Sequence, residues 1–590
     1  MRLANLKAQT AQVWKLSIPY FQSEEKWKAR ALLASIVALN LLGVYLLVLL
    51  NNWNQVFYDA LQNKDAAVFW QQLGRFTYIA FALIVLAVYK FYLTQLLEMR
   101  WRAWMTKHYL VRWLSNQAFY KMELARFAKT NPDATDKGPD NPDQRIQEDL
   151  NQFTSLTVGL SMGVLNALVT LVSFVGILWK LSGEFSFHLG GNEYFVPGFM
   201  VWMALLYCLA GSIITFYIGR PQIKLNFQQQ RVEADFRHHM VRVREYSESI
   251  ALDHGEKVER AHLDMRFGAV LSNYLQLLKA QKRLIWFNSF FGQAAVVFPF
   301  IVAAPRFFSG AIQLGTLMQI SSAFGRVQDS LSWFVDNYSS LATWRATTDR
   351  LTSFEEQIQA LALIPSAQAA TNSVASDTLE ARGLTLRLPD GSLLLDAVNL
   401  QARPGDHILL SGPSGSGKST LFRAFAAIWP FSSGQIALPT DAMFIPQRPY
   451  FPDGSLRSAL AYPTAATGYT DTALRQALVD ALLPDLADQL DLEAAWGQKL
   501  SGGEQQRLAI ARVLLKKPRW IFADEATSAL DGPAENLIYK RLLAQVESAQ
   551  GAIISIAHRP GVAAFHTQRW TLEPQPAGAV ARYQIAQTPI

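Results

Sequence analysis

Four stretches of this chain run for twenty residues or more without a charge: Ala31–Leu50, Leu156–Trp179, Phe195–Ile218 and Leu284–Ala304. At about 1.5 Å per residue, a helix of that length crosses a hydrocarbon core about 30 Å thick. A fifth, Phe76–Leu97, carries only Lys90, whose long stem lets the ammonium snorkel toward an interface. A sixth candidate, Leu317–Leu341, is less apolar. No such run follows it in the 590 residues. The pattern predicts a helical membrane domain first and a water-soluble domain second, in a chain too long for one core.

The formal charge of +7 reads as a topology signal. Lysine and arginine crowd the segments Lys90–Asp149 and Gly219–Arg283, whereas the opposite connections offer only Lys64, Arg75, Lys180 and Arg306. Positive-inside places both long segments and both termini in the cytoplasm, and nothing else supports nucleic-acid binding. The single cysteine, Cys208, excludes an intrachain disulfide and reads as a buried inert thiol. The first apolar run is too long and starts too late for a cleavable signal. Before it, Gln12–Trp27 sets Trp14, Tyr20, Phe21 and Trp27 among charges, as an interfacial amphipathic segment does.

On a helical wheel Arg326, Asp329, Trp333 and Asp336, with Gln319, Ser322, Ser330 and Asn337, share an arc of about 120° in the sixth candidate. Either this arc faces a water-filled cavity or the helix lies partly outside the bilayer. Closing a six-span topology favours the cavity. Between the second and third spans, Asn131-Pro132-Asp133 and Asn141-Pro142-Asp143 break and restart a helix. That segment reads as a solvated loop or as a contact point with the soluble domain.

The second half carries its own constraint. Gly412-Pro413-Ser414-Gly415-Ser416-Gly417-Lys418-Ser419-Thr420 matches G-x-x-x-x-G-K-[ST], between an apolar run at His407–Leu410 and a helical pattern at Leu421–Ile428. A glycine-rich turn from strand to helix aims backbone N–H groups and the positive helix end at a polyphosphate. Lys418 would reach the terminal phosphates and the Ser419 hydroxyl would serve Mg²⁺.

Further motifs follow in order. Ile445-Pro446-Gln447 ends a short strand. Leu500 to Arg507 opens a helix through Ser501-Gly502-Gly503, a second anion-binding start. The apolar run Trp520–Ala523 ends in Asp524 and Glu525, the first suited to a metal shell and the second to orienting water. Ile553–Ala557 presents His558 at its tip.

Together these motifs resemble the ATP-binding cassette of ABC transporters, and most of the chain, from about Asn51 to His566, is similar to subfamily D half-transporters and to SbmA/BacA-type bacterial uptake proteins. The resemblance within the family rests on Gly417–Arg423, Trp429-Pro430, Ile445–Tyr450, His558-Arg559-Pro560, Asn141–Gln144 and Glu248–Glu256. It implies an exporter-type six-helix membrane domain followed by an α/β P-loop domain. The expected boundaries are an interfacial segment over 1–30, a six-span domain over 31–357, a linker over 358–378 and a cassette over 379–590. The resemblance also implies ATP and Mg²⁺ as ligands, with Ser419, Gln447 and Asp524 at the metal and Glu525 and His558 catalytic. The other cassette contacts would be Ser501, Gly502, Gly503 and Asp531, acting across a homodimer. The implied function is ATP-driven uptake of peptides or another hydrophilic solute, cobalamin-like cargo included, across a bacterial inner membrane. The alternatives are transport of fatty acids, acyl-CoA or lipids, export, or an ATP-gated channel or sensor. Many cassettes stack an aromatic on adenine, but the corresponding stretch here, Leu384–Pro389, has none.

Overall fold

The computed structural model describes residues 3–128, 141–182, 184–189, 192–363, 377–576 and 578–590. The turn expected at Asn131–Asp133 and most of the polar linker lie outside these residues. The chain divides into two compact units, Met1–Tyr109 with Pro142–Ser353, and Leu110–Asn141 with Phe354–Ile590.

The first unit is helical. Helix α1 spans Leu3–Gln22, α2 Lys26–Gln62 and α3 Ala66–Leu114. After α4, Ala118–Ala128, which belongs to the second unit, come α5 over Pro142–Ser182 and α6 over Phe199–Glu245. Then follow α7 over Glu256–Phe308 and α8 over Leu314–Asp336. Five of these helices are long and apolar enough to cross a membrane. Helix α8, where the sixth span is expected, is not among them. Helices α6 and α7 run for 47 and 53 residues, far beyond the uncharged runs inside them. Their charged ends therefore extend past any bilayer core.

Three local features depart from the sequence reading. Tyr20 is fully buried and stacks on Trp101 at 5.9 Å, so the segment before the first span contributes to the core as well as to a surface. Trp14 and Trp27 stay exposed. The run expected to begin a span at Phe195 starts in a strand instead: Glu184–Leu189 (β1) pairs antiparallel with Asn192–Pro197 (β2). Gly198 then takes φ 68° before the helix starts at Phe199, a conformation in which a side chain would be strained.

The restart at Asn141–Asp149 is the third. Two of its charges, Arg145 and Asp149, are engaged inside the first unit. Asp149 accepts two hydrogen bonds from Arg350, at 2.6 and 3.0 Å, and pairs with Arg145 one turn earlier. With both Arg145 and Asp149 buried, each charge depends on the others, because breaking such a pair leaves an uncompensated buried ion.

The second unit is an α/β domain. Helix α9, Tyr338–Leu363, leads into it. Its strands are β3 Leu379–Arg387, β4 Leu393–Ala402, β5 His407–Ser411, β6 Ser432–Ala437, β7 Ala442–Ile445, β8 Trp520–Asp524, β9 Ala552–Ile556, β10 Gln568–Pro574 and β11 Tyr583–Pro589. The main sheet has the order β11-β10-β5-β9-β8-β7, parallel except for β11. An antiparallel sheet, β4-β3-β6, stands beside it. Trp520, Ile521, Phe522 and Ala523 are all buried, as a parallel strand covered on both faces requires. Phe522 stacks on Phe444 at 4.4 Å. Helix α4 joins this domain, with Leu124 inside the hydrophobic cluster of Leu386, Phe422 and Trp429.

His566 is buried in this domain, its Nδ1 2.8 Å from the Val562 carbonyl and its ring edge-on to Tyr539. Burial pushes its pKa down to about 4. The unfolded chain, near 6.5, takes up a proton first as pH falls. Stability from the neutral ring is therefore complete above about pH 6.5 and declines toward pH 4. We expect His566→Gln to lose this decline, worth about 2 kcal/mol at pH 5. Denaturant titrations of both proteins at pH 7 and pH 5 measure it.

Candidate functional site

Strand register builds the site. Ile445 of β7 lies beside Ala523 of β8, Asp524 beside Ile556 of β9, and Ile556 beside Leu410 of β5. Four parallel strands thus end within about one residue of a common level, and the chain leaves them at Gln447, Glu525, His558 and Gly412. Ligands of open α/β sheets bind at such carboxyl ends.

Beyond β5 the loop Gly412–Gly417 opens helix α10, Lys418–Phe425. Gly412 has φ 148° and Gly417 φ 92°. A Cβ at Gly412 would come within 2.9 Å of the Leu572 carbonyl; at Gly417 it would strike Leu394. Lys418 is buried and donates to the carbonyls of Gly412 and Pro413, both at 2.9 Å, which folds its stem back across the loop. Burial lowers its pKa, while Glu525 and Asp524 pull the other way. A polyphosphate oxygen meeting that ammonium would replace carbonyl dipoles with a full charge. The helix begins three residues before the apolar pattern suggests and stops at Phe425, because Ala427 turns left-handed at φ 55°.

Glu525 is held from two sides. Gln447 Nε2 donates to its Oε2 at 2.7 Å, and His558 Nε2 lies 3.2 Å from its Oε1. Its backbone leaves β8 with φ 49°, and its N–H donates to the Ile556 carbonyl at 3.0 Å. This left-handed residue ends the strand one position earlier than expected and swings the carboxylate off the strand axis. Asp524 accepts a hydrogen bond from Ser419, and burial raises its pKa. Ser419, Gln447 and Asp524 line one cleft of about 350 Å³ with Arg423. That gathering of oxygen donors matches what a hard divalent cation takes.

Ser501 caps helix α11, Gly502–Lys516, in a reciprocal box with Glu504. Ser501 donates to the Glu504 carboxylate at 2.7 Å through its hydroxyl and 2.9 Å through its N–H. These bonds hold the Glu504 pKa low. Asp531 caps helix α12, Gly532–Ser548, at 2.8 Å from the Ala534 N–H.

Two residues of the motifs take parts that spacing alone did not assign. Gln506 donates to the Glu525 carbonyl at 3.2 Å and to Ser528 Oγ at 2.9 Å, and accepts from the Ala529 N–H at 2.9 Å. Arg559 donates to the carbonyls of Ser528, at 2.9 Å, and Leu530. The loop Ser528–Asp531 is therefore tied both to the signature helix and to the residue after His558. Arg512, one face further along α11, donates to the carbonyls of Tyr450 and Ala459 and lies over the Phe451 ring at 4.4 Å. Burial brings its pKa down to about 10, so it stays charged at neutral pH.

Comparison with known proteins agrees with this geometry. The model of "ABC transporter transmembrane region 2" matches residues 16–308 and that of "ABC transporter" residues 395–528. The inner membrane ABC transporter ATP-binding protein YddA of Escherichia coli is 34% identical, over 91% of this chain and 92% of its own. The chain belongs to the ABC transporters of D type. The chloroplastic ABC transporter D family member 2 of Arabidopsis thaliana is 34% identical over 96% of this chain and 86% of its own. The human lysosomal cobalamin transporter ABCD4 is 24% identical over 94% of this chain and 93% of its own. A bacterial Atm1-family ABC exporter solved with ATP bound shares the fold, with a TM-score of 0.68 at 18% identity over 92% of this chain and 93% of that one. The chain is thus a membrane-embedded, ATP-driven transporter of a solute, built on the exporter fold and of the half-transporter kind that dimerises.

Of the membrane residues singled out by charge, the structure brings two together. Asp329 and Asp336 line a cleft with Ser212, Thr215 and Asn288 of α6 and α7. Trp333 turns elsewhere, its indole against Gly163 of α5, and Arg326 does not line the cleft.

Gln506→Ala should free the Ser528–Leu530 backbone while leaving the sheet intact. Loss of about 1.5 kcal/mol of local hydrogen bonding corresponds to roughly tenfold faster amide exchange there. Peptide-resolved hydrogen exchange across 520–535, compared with 550–556 as internal standard, reads this directly.

Proposed function

We propose that this transporter works as a homodimer in a bacterial inner membrane, with both termini and the cassette in the cytoplasm, and that it takes up a hydrophilic solute. In the cassette, the Gly412–Gly417 amides and Lys418 hold the ATP phosphates, with Thr420 completing the loop. Ser419, Asp524 and Gln447 offer oxygen ligands to Mg²⁺, which supplies charge neutralisation at the phosphates. Glu525, held by Gln447 and His558, orients the attacking water and takes its proton. The other wall of each site comes from Ser501, Gly502 and Gly503 of the partner subunit.

The observation that carries the cargo reading is the cleft of Ser212, Thr215, Asn288, Asp329 and Asp336. Two carboxylates and neutral hydrogen-bonding groups beside membrane helices suit a water-soluble, polar cargo. The cobalamin carried by the human relative belongs to that class, and so do peptides. A second reading, an acyl-chain cargo, draws on the adjoining 510 Å³ cleft, where Phe216, Leu284 and Phe334 meet Arg220 and Asp336.

ATP-dependent uptake of labelled peptide, cobalamin and acyl-CoA into cells, or their efflux from preloaded inside-out vesicles, separates the readings, with Glu525→Gln as the hydrolysis-dead control. Preferential ATP-dependent movement of acyl-CoA would overturn the hydrophilic assignment.

Shared sites make a further expectation. Lys418→Ala and Ser501→Arg chains, each inactive alone, should recover part of the ATPase activity when mixed, since one site of the mixed dimer carries neither lesion. Verified mixed dimers without any activity would argue against the composite site. Asp336→Asn should cut transport per folded dimer at least tenfold while basal ATP hydrolysis and melting temperature hold. An unchanged transport rate would remove Asp336 from cargo handling.

A further inference from the structure

The charged extensions of α6 and α7 carry a cluster that neither hydrolysis nor the polar cleft uses. His239 on α6 faces Glu259 and His262 on α7, and one ligand atom from each lies within 4.8 Å of the other two. Glu259 and His262 are three positions apart, so both fall on one face of α7. His239 Nε2 is 2.8 Å from Glu259 Oε2, is shielded from solvent, and makes no well-directed hydrogen bond. The His239 and His262 rings stand 5.7 Å apart at 78°.

The two helices are fixed in register around this point. Phe236 packs on Phe267 at 5.4 Å. Further along, Asn273 donates to Gln229 at 2.8 Å and to the Leu225 carbonyl at 3.0 Å, and Gln229 in turn donates to Glu233 at 2.9 Å. A site on packed helices is positioned more sharply than one on loops.

We propose that His239, Glu259 and His262 bind one divalent transition-metal ion, zinc above all, that cross-ties α6 to α7. Two imidazole nitrogens and one carboxylate oxygen form the donor set of borderline ions, and three protein ligands leave a fourth position for water. The nitrogen donors disfavour Ca²⁺ and Mg²⁺, which take oxygen. Binding requires both imidazoles neutral, so protons leave as the ion enters. His262 is exposed and His239 half-buried, which gives the ion a route from water to a shielded nitrogen.

The test uses the full-length, untagged protein in detergent, stripped with chelator and titrated with Co²⁺, then with Zn²⁺ as competitor. One Co²⁺ per chain should bind with the visible absorption of a four-coordinate site, and Zn²⁺ should displace it and raise the melting temperature. His239→Ala and His262→Ala should each weaken binding at least about 100-fold, more than loss of an outer-shell partner does. His238→Ala, on the exposed neighbour, should bind as the parent does. Elution volume and basal ATPase activity show that each variant is folded, and the exposed position of His262 makes its variant the safer of the two. No stoichiometric binding by the parent protein would leave a plain histidine–carboxylate ion pair and overturn the proposal. Parent-like affinity in either ligand variant, or equal loss in His238→Ala, would do the same by placing the metal elsewhere.

Discussion

The near-level ending of four parallel strands is the constraint on which the nucleotide site depends. Because Leu410, Asp524 and Ile556 come into line across the sheet, with Ile445 beside Ala523 one position back, residues more than a hundred positions apart in sequence meet at one edge. A slip of one residue in any strand would turn its side chains to the opposite face. It would also move Glu525 away from Gln447 and His558. The stacked Phe444 and Phe522 rings resist such a slip, since truncating one buried phenylalanine costs about 3–5 kcal/mol. The apolar packing beneath the site is thus what sets its polar geometry.

Much of this was legible in the sequence. The phosphate loop, Asp524-Glu525, Gln447 and His558 each follow a short apolar run, and the alternation of such runs with helical patterns announces a parallel sheet. What was not legible follows from backbone conformation and from contacts distant in sequence. Nothing in the spacing shows that Glu525 turns left-handed, or that Gln506 reaches across to Ser528. The membrane half shows the same division. Uncharged runs locate the helices, but they do not show that Tyr20 leaves the surface for Trp101, nor that Trp333 turns toward Gly163 while Asp329 and Asp336 remain at a cleft. Wheel positions specify a face; the partner that covers it depends on helices elsewhere in the chain. The hairpin at Glu184–Pro197 was hidden by its own apolar residues, which read equally well as the start of a span.

Polar groups in the membrane unit are handled in two ways. Asp149 is buried and fully engaged by Arg145 and Arg350, an arrangement whose worth lies in fixing where α5 and α9 meet, since a buried ion pair gives little net stability over an apolar one. Asp329 and Asp336 lie exposed beside neutral polar groups. The first arrangement resists change; the second leaves hydrogen-bonding capacity for something that comes and goes.

Leu124 has a consequence for how the protein is made. It sits in the core of a domain whose first strand begins at Leu379, and it belongs to a segment inserted between two membrane helices. On the ribosome this side chain is synthesised long before the cluster that will enclose it, so its helix must wait, apolar face uncovered, until the cassette folds around it. A cassette expressed from Leu379 alone would fold with that position unfilled. Completion of the nucleotide domain is in this way a late event of assembly, one that also captures a segment made at the start.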